Sequence, residues 1–265
     1  MKRFAFGVLL LAATTVFGAG VKTDGLVIPE GSTTQILIPA LGAVAGANNQ
    51  FFKSDVTLFN YATHDQRVRF NWLPAGQDGT NVPARELVIA ARRAIASEDF
   101  VTAYLQQTGL GALLITPVTD TGSIDLSAKL FATSRIYSNP PKSDEGTVSQ
   151  TFNAVPISAA LNLRQSIVGL KHDERFRMSV GIVNLEPTTQ TYQLTFLGTA
   201  GGQLDNVTVS VPPMSLLQVS APGTAHVNMQ VGVTSLTQGP KWLSFGSSVD
   251  NTTGDSWSEL GFVQP

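Results

Sequence analysis

Apolar and polar residues alternate singly along much of this chain, and one alternating stretch occurs twice. Phe52-Lys53-Ser54-Asp55-Val56-Thr57-Leu58-Phe59-Asn60 returns as Phe176-Arg177-Met178-Ser179-Val180-Gly181-Ile182-Val183-Asn184, from position 52 to position 176, a displacement of 124. Each copy opens on an aromatic and a cation and ends on an Asn at a turn. Val56 and Leu58, like Val180 and Ile182, fall on one face, and Thr57 and Gly181 on the other. Successive side chains of a strand point to opposite sides of a sheet, so this period of two predicts strands with one buried face.

The elements around the first copy follow in order. Residues 34–39 predict a strand ended by Pro39, which has no N–H for a ladder. Residues 42–50, rich in Gly, Ala and Asn, predict a loop. Residues 66–73 alternate, with Val68, Phe70 and Trp72 on one face and Arg67, Arg69 and Asn71 on the other. Residues 74–81 read as a Gly-rich turn, and Leu87 with Ile89 as a further strand. Ser97-Glu98-Asp99 offers a capping oxygen and acids ahead of Phe100, Val101, Tyr104 and Leu105 at helical spacing, which predicts one short helix. Residues 112–116 and 125–137 complete this half, the latter with Leu126, Ala128, Leu130 and Ala132 on one face.

Residues 139–146 (Asn-Pro-Pro-Lys-Ser-Asp-Glu-Gly) read as a stiff, solvated linker. The cycle then begins again. Residues 151–156 match the strand that ends at Pro39, Gln190 answers Gln66, and Tyr192, Leu194 and Phe196 answer Val68, Phe70 and Trp72. Val209 and Val211 answer Leu87 and Ile89, Val231 and Val233 answer Leu113 and Ile115, and Leu243 and Val249 answer Leu130 and Ile136. Strands at this spacing, with about seven in each repeat, predict an all-β chain of two tandem antiparallel Ig-like β-sandwiches related by internal duplication, with one short helix in the first. The expected spans are a signal peptide at 1–20, repeat 1 at 26–140, the linker at 141–145 and repeat 2 at 146–265.

Composition narrows the address and the chemistry. Lys2 and Arg3, the apolar run 4–13 and the small residues of 16–20 form an export signal, so the mature chain is expected in the periplasm or outside the cell. No later stretch is long and apolar enough to span a bilayer, so no membrane span is expected in the mature chain. A net charge of −2 supplies no clustered cations for nucleic acid. The absence of Cys rules out disulfides and thiolate metal sites. From Met178 onward the charged residues are Glu186, Asp205, Lys241, Asp250, Asp255 and Glu259, so that surface is wetted mainly by hydroxyls and amides. Such weakly charged strands leave edges open, and the surface from Phe245 to Trp257 is the expected contact with the other repeat or a partner.

No catalytic constellation stands out. The acid pairs Glu98-Asp99, Asp144-Glu145 and Asp173-Glu174 are sequence neighbours, which on a strand face opposite ways. His64, His172 and His226 lack the short-range spacing of zinc ligands. No Gly-x-Ser-x-Gly occurs, and Gly198, Gly201 and Gly202 read as a hairpin turn because a strand follows. Asp120 to Asp125 and Asp250 to Asp255 are oxygen-rich loops of calcium-compatible composition, but turns have the same composition and neither matches calcium-loop spacing. No cofactor and no metal are therefore expected. Asn206-Val207-Thr208 and Asn251-Thr252-Thr253 match the glycosylation sequon.

These features describe an exported, non-enzymatic interaction or structural module with a protein or glycan partner. The alternative is a carbohydrate-binding module of the cell surface or extracellular space, with Trp242 and Trp257 as the candidate ligand contacts, and a hydrolase is the remaining, third reading. Alternation around Trp72 and Trp242 favours the core for both, whereas Trp257 lies among polar residues.

The order Ile38-Pro39-Ala40, a Gly/Asn loop, the Phe52 to Asn60 stretch, and later His172-Asp173-Glu174-Arg175-Phe176-Arg177, Val211-Pro212-Pro213 and Ser248-Val249-Asp250-Asn251-Thr252-Thr253-Gly254-Asp255 resembles a repeat of bacterial exported proteins. The resemblance spans nearly all of the chain after the signal. It implies Ig-like sandwiches and an exported address, and it brings no assigned activity. Ala90-Ala91 stands in the first repeat where the second has Pro212-Pro213.

Overall fold

The computed structural model describes residues 22–23, 26–27, 35–46, 50–139, 147–160, 163–198, 201–223, 226–237 and 239–263. The signal segment 1–20 and the linker 141–145 lie outside the described residues. The chain divides into a small unit, Met1–Glu30, and a main unit, Gly31–Pro265. In the small unit β1 (Lys22–Thr23) pairs antiparallel with β2 (Leu26–Val27).

The first half of the main unit contains β3 (Ile36–Ala45), β4 (Phe51–Asn60), β5 (Gln66–Pro74), β6 (Arg85–Ile89), β7 (Ala94–Ser97), β8 (Gly109–Val118), β9 (Leu130–Asn139), β10 (Ser149–Asn153) and β11 (Val155–Pro156). The second contains β12 (Gln165–His172), β13 (Phe176–Asn184), β14 (Gln190–Leu197), β15 (Gln203–Val211), β16 (Ser215–Ser220), β17 (His226–Ser235), β18 (Trp242–Asp250), β19 (Ser256–Leu260) and β20 (Phe262–Val263). Among the described residues the chain is all-β apart from a π-helical turn at Phe100–Leu105 and a 3-10 turn at Ile157–Ala159.

The first half is one nine-stranded sheet, ordered β10-β9-β4-β3-β8-β5-β6, with β11 on β3 and β7 on β4. Strand β3 turns the corner, because its residues 36–43 pair with β8 and Val44 and Ala45 pair with β4. Divided there, the layers run β11-β3-β8-β5-β6 and β7-β4-β9-β10. The second half has a five-stranded sheet, β15-β14-β17-β12-β20, and a four-stranded sheet, β16-β13-β18-β19. The two halves thus follow one strand order. Even the interruption of β3 against β8 between Ile38 and Leu41 has its counterpart in β12 against β17 between Ile167 and Leu170.

The register places several segments differently from their expected positions. Residues 149–156 do not open the second half: β10 pairs with β9, and Val155 and Pro156 pair with Leu37 and Ile36. Their alternation resembles that of 34–39, but Phe152 is buried in the first-half core, and that burial decides their place. The counterpart of Ile36 to Ile38 is instead Gln165 to Ile167, which sit opposite Val233 and Val231 as Ile36 and Ile38 sit opposite Ile115 and Leu113. Leu126 is 75% exposed, because Asp125 Oδ1 accepts bonds from Ser127 N (2.9 Å) and its Oγ, bending 125–127 into a turn before β9 starts at Leu130. The helical turn has no side-chain cap; Asp99 adopts a left-handed conformation and lies 4.0 Å from Lys53 Nζ. Phe100, Val101 and Leu105 nevertheless bury one face of it.

Two buried clusters hold the main unit. In the second half, Ile167, Tyr192, Leu194, Phe196, Val231 and Val233 of the five-stranded sheet meet Met178, Val180, Ile182 and Trp242 of the four-stranded sheet. The opposite face of that four-stranded sheet is also covered, since Val183, Leu216, Leu243 and Phe245 belong to the first-half cluster with Ile36, Leu41, Val56 and Phe152. Burying each side chain of this size contributes about 2 kcal/mol, so the halves are fastened by packing. Backbone bonds add to it: Gly76 N donates to Leu216 O (2.8 Å), Gly79 N to Pro213 O (2.9 Å), and Ala75 bridges Leu216 in parallel. Among the described residues no helix is long and apolar enough to cross a membrane.

Candidate binding cleft

Beside this packed contact the halves leave a cleft, formed as two adjoining hollows of about 480 Å³ each. Phe52, Ile136, Gln150, Arg177 and Val249 line both. Strand periodicity explains the lining. Gln150 and Phe152 are two apart on β10, and Phe245, Ser247 and Val249 are two apart on β18, so each set shares a face. The two rows meet, with the Phe152 and Phe245 rings edge to face at 5.4 Å and Gln150 Nε2 donating to Ser247 Oγ at 2.9 Å.

The Phe245 ring fits because Gly181 lies opposite it in the ladder. A Cβ on Gly181 would come within 2.1 Å of that ring. Further along, Arg177 Nη1 donates to Asn251 Oδ1 (2.9 Å) and Gln218 Nε2 to Ser179 Oγ (2.6 Å). His172 reaches the same wall, and its Nδ1 is buried without a protein partner.

The cleft combines an apolar floor with amides, hydroxyls and the Arg177 guanidinium. Asp250, at its margin, is occupied: its Oδ2 accepts Arg175 Nε (2.7 Å), and its Oδ1 accepts the backbone N–H of Thr252 (2.8 Å) and Thr253 (3.2 Å). The Arg175 hydrogen bond first, then the Thr252 amide, hold this carboxyl below the usual carboxylate range. A carboxylate held ionised in this way is a poor proton donor.

The residues singled out by sequence fall in separate places. Trp242 is fully buried against Tyr192, with ring centroids 5.1 Å apart, and does not reach the surface to touch a ligand. Burial also pushes the Tyr192 hydroxyl up from its ordinary range. Trp257 is half-buried: its Nε1 donates to Gly169 O (3.0 Å), its edge meets Phe176 at 5.6 Å, and Lys171 Nζ lies 5.9 Å from its ring. That indole is fixed on β19 and is not among the residues lining the cleft, although its neighbour Ser256 is.

Asp173 closes its own turn, its Oδ1 taking the N–H of Arg175 and Phe176, and Asp125 does the same with Ser127. Asp144-Glu145 and the His226 side chain lie outside the described residues. Among the described residues no three His, Cys, Asp or Glu side chains gather to hold a metal ion. Phe52 and Arg177 were visible in sequence as the opening positions of the two copies, but their meeting across the cleft was not. Gln150 and Gln218 carried no sequence signal, and Ser247 only that of lying within the expected contact surface of residues 245–257.

No protein-family model, curated protein or solved structure matches this chain.

Proposed function

We propose that this chain is an exported, non-enzymatic binding module made of two copies of one Ig-like β-sandwich, with the ligand held in the cleft between them. The shared strand order supports the duplication, as do the matching interruptions of β3 and β12. A left-handed residue, Arg92 or Met214, also precedes the corresponding strands β7 and β16. On this reading the copies run over 36–156 and 165–263, because β10 and β11 complete the first just as β19 and β20 complete the second. The export signal at 1–20 gives the address.

One observation carries the binding role: Gln150, Gln218, Ser247, Asn251 and Arg177 surround the apolar floor of Phe52, Ile136 and Val249. Apolar concavities with a few placed polar groups are the usual form of ligand sites. The donors and acceptors here are mostly neutral, which suits an uncharged polar ligand. A glycan is the second reading, favoured by the amides and guanidinium beside the Phe52 ring, since aromatic faces take sugar C–H groups and amides select hydroxyls.

The test is retention of the full chain on glycan and peptide arrays, compared with Phe52→Ala, Arg177→Ala and Trp257→Ala. Loss of a bound ligand in the first two variants supports the cleft. Loss only in Trp257→Ala moves the site to the indole, and no glycan retention removes the sugar reading.

A further inference from the structure

We infer that the free edge of β15 is a self-association surface, on which a second copy of this chain adds its own β15 antiparallel, centred on Val207. Edge strands expose unpaired N–H and C=O groups, and stable folds blunt them with short length, charge, Pro or cover. Among the described residues the other edges are blunted in one of these ways. Strands β11 and β20 have two residues each, and β7 has four. Strand β6 carries Arg85 and Glu86, with Glu86 Oε1 at 2.7 Å from Arg69 Nε. Strand β16 lies against the first half through the Ala75–Leu216 bridge. Strands β10 and β19 cover each other, as Ser256 Oγ donates to Ser149 O and Ser258 Oγ to Thr151 O, both at 3.2 Å.

Strand β15 differs from all of these. It has nine residues, Gln-Leu-Asp-Asn-Val-Thr-Val-Ser-Val, with no Pro and one charge, Asp205. It pairs on one side only, with β14, and is rich in β-branched residues that favour extended backbone. One outer donor is internally held, since Asp205 Oδ1 accepts the N–H of Asn206 at 2.7 Å.

The strand is also self-complementary. A two-fold axis at Val207 sets Val207 against Val207 of the second copy, Asn206 against Thr208, and Asp205 against Val209; regular pairing stops there, because Leu204 is an extra residue out of register with β14. Amide meets hydroxyl on the outer face; on the inner face Val207 meets Val207, and each Asp205 lies against Val209 of the other copy. The two Asp205 side chains end four positions apart, about 13 Å at the strand rise, beyond the physiological screening length of about 8 Å. The pairing joins two five-stranded sheets through an isologous contact, the commonest closed form of homo-oligomer.

Because the chain has no cysteine, one introduced thiol reports the register. Under oxidising conditions Val207→Cys in the full chain is expected to yield a covalent dimer, since directly opposed Cβ atoms approach disulfide range. Val209→Cys, opposite Asp205 of the second copy, is expected to yield none. Sedimentation of the wild-type chain should show mass rising toward the dimer with concentration, and Thr208→Lys, which leaves the inner face intact, should return it to the monomer. Monomeric wild-type protein up to about 1 mM overturns the inference. So does equal crosslinking of both thiol variants, or a dimer unmoved by Thr208→Lys. Capture of a foreign extended peptide by a chain that stays monomeric also overturns it, and makes β15 a strand acceptor for another protein.

Discussion

Asn60 and Asn184 make the same set of hydrogen bonds in the two halves. Asn60 Nδ2 donates to the carbonyls of His64 (2.8 Å), Ile89 (3.1 Å) and Ala90 (3.3 Å), and its Oδ1 accepts the N–H of Ala62 (2.9 Å). Asn184 Nδ2 donates to Thr188 (2.9 Å), Val211 (3.3 Å) and Pro212 (2.8 Å), and its Oδ1 accepts Glu186 N (3.0 Å). Each amide ties the end of one strand to its own turn and to the end of a strand in the facing sheet. Both are fully buried, so truncation leaves backbone groups without partners. Asn184→Ala should lower unfolding free energy by about 3 kcal/mol, and Asn60→Ala by a similar amount. Urea titration of each variant measures this, and a loss confined to one site would separate the two corners energetically.

Val180 is fully buried between the facing sheets of the second half. Val180→Asp forces a carboxyl into that core with no acceptor or cation beside it. The expected cost is about 4 kcal/mol or more, enough to abolish a cooperative transition in a marginally stable chain. Thermal unfolding followed by far-UV circular dichroism reads it out.

Gly181 and Gly79 are positions of close approach between the halves or beside their contact. A Cβ on Gly79 would lie 2.1 Å from Met214 O, and one on Gly181 2.1 Å from the Phe245 ring. Gly181→Val should push Phe245 off Phe152 and cost about 2 kcal/mol, the usual scale of overpacking. Phe245→Ala alone, which opens a cavity instead, should cost about 3 kcal/mol. If Gly181→Val is made in the Phe245→Ala background, its penalty should largely vanish. Chemical denaturation of the double-mutant cycle tests that coupling.

Asp250 sets an acid limit on stability. Its carboxyl is held below the ordinary aspartate range by Arg175 and the Thr252 amide. A lowered folded-state value means the unfolded chain takes up this proton first as pH falls. The contribution is therefore complete above about pH 4 and is lost below it, as pH passes through the folded value. Asp250→Asn should be less stable than wild type at pH 7, and the gap should close on acidification. Urea midpoints of both proteins between neutral pH and pH about 3 check the sign, and a gap that widens on acidification would contradict it.

The sequence by itself determined which residues face inward on most strands, because a buried face imposes a period of two that no other arrangement produces. Val56, Leu58, Val180 and Ile182 were legible from that alone, as were Tyr192, Leu194 and Phe196 as counterparts of Val68, Phe70 and Trp72. It also marked Phe245 to Trp257 as a contact surface, and Phe245 does pack on Phe152 of the first half. Tertiary structure decided what alternation cannot encode. Residues 149–156 read equally well as the first strand of one half or the last strands of the other, and the burial of Phe152 chose. Strands β7 and β16 are short and lack strict alternation, so only their ladders with β4 and β13 reveal them. The assembly of the cleft belongs to this level. Gln150 and Ser247 are ordinary polar residues in sequence, and become a paired wall only when two strand faces from different halves are brought within hydrogen-bond distance.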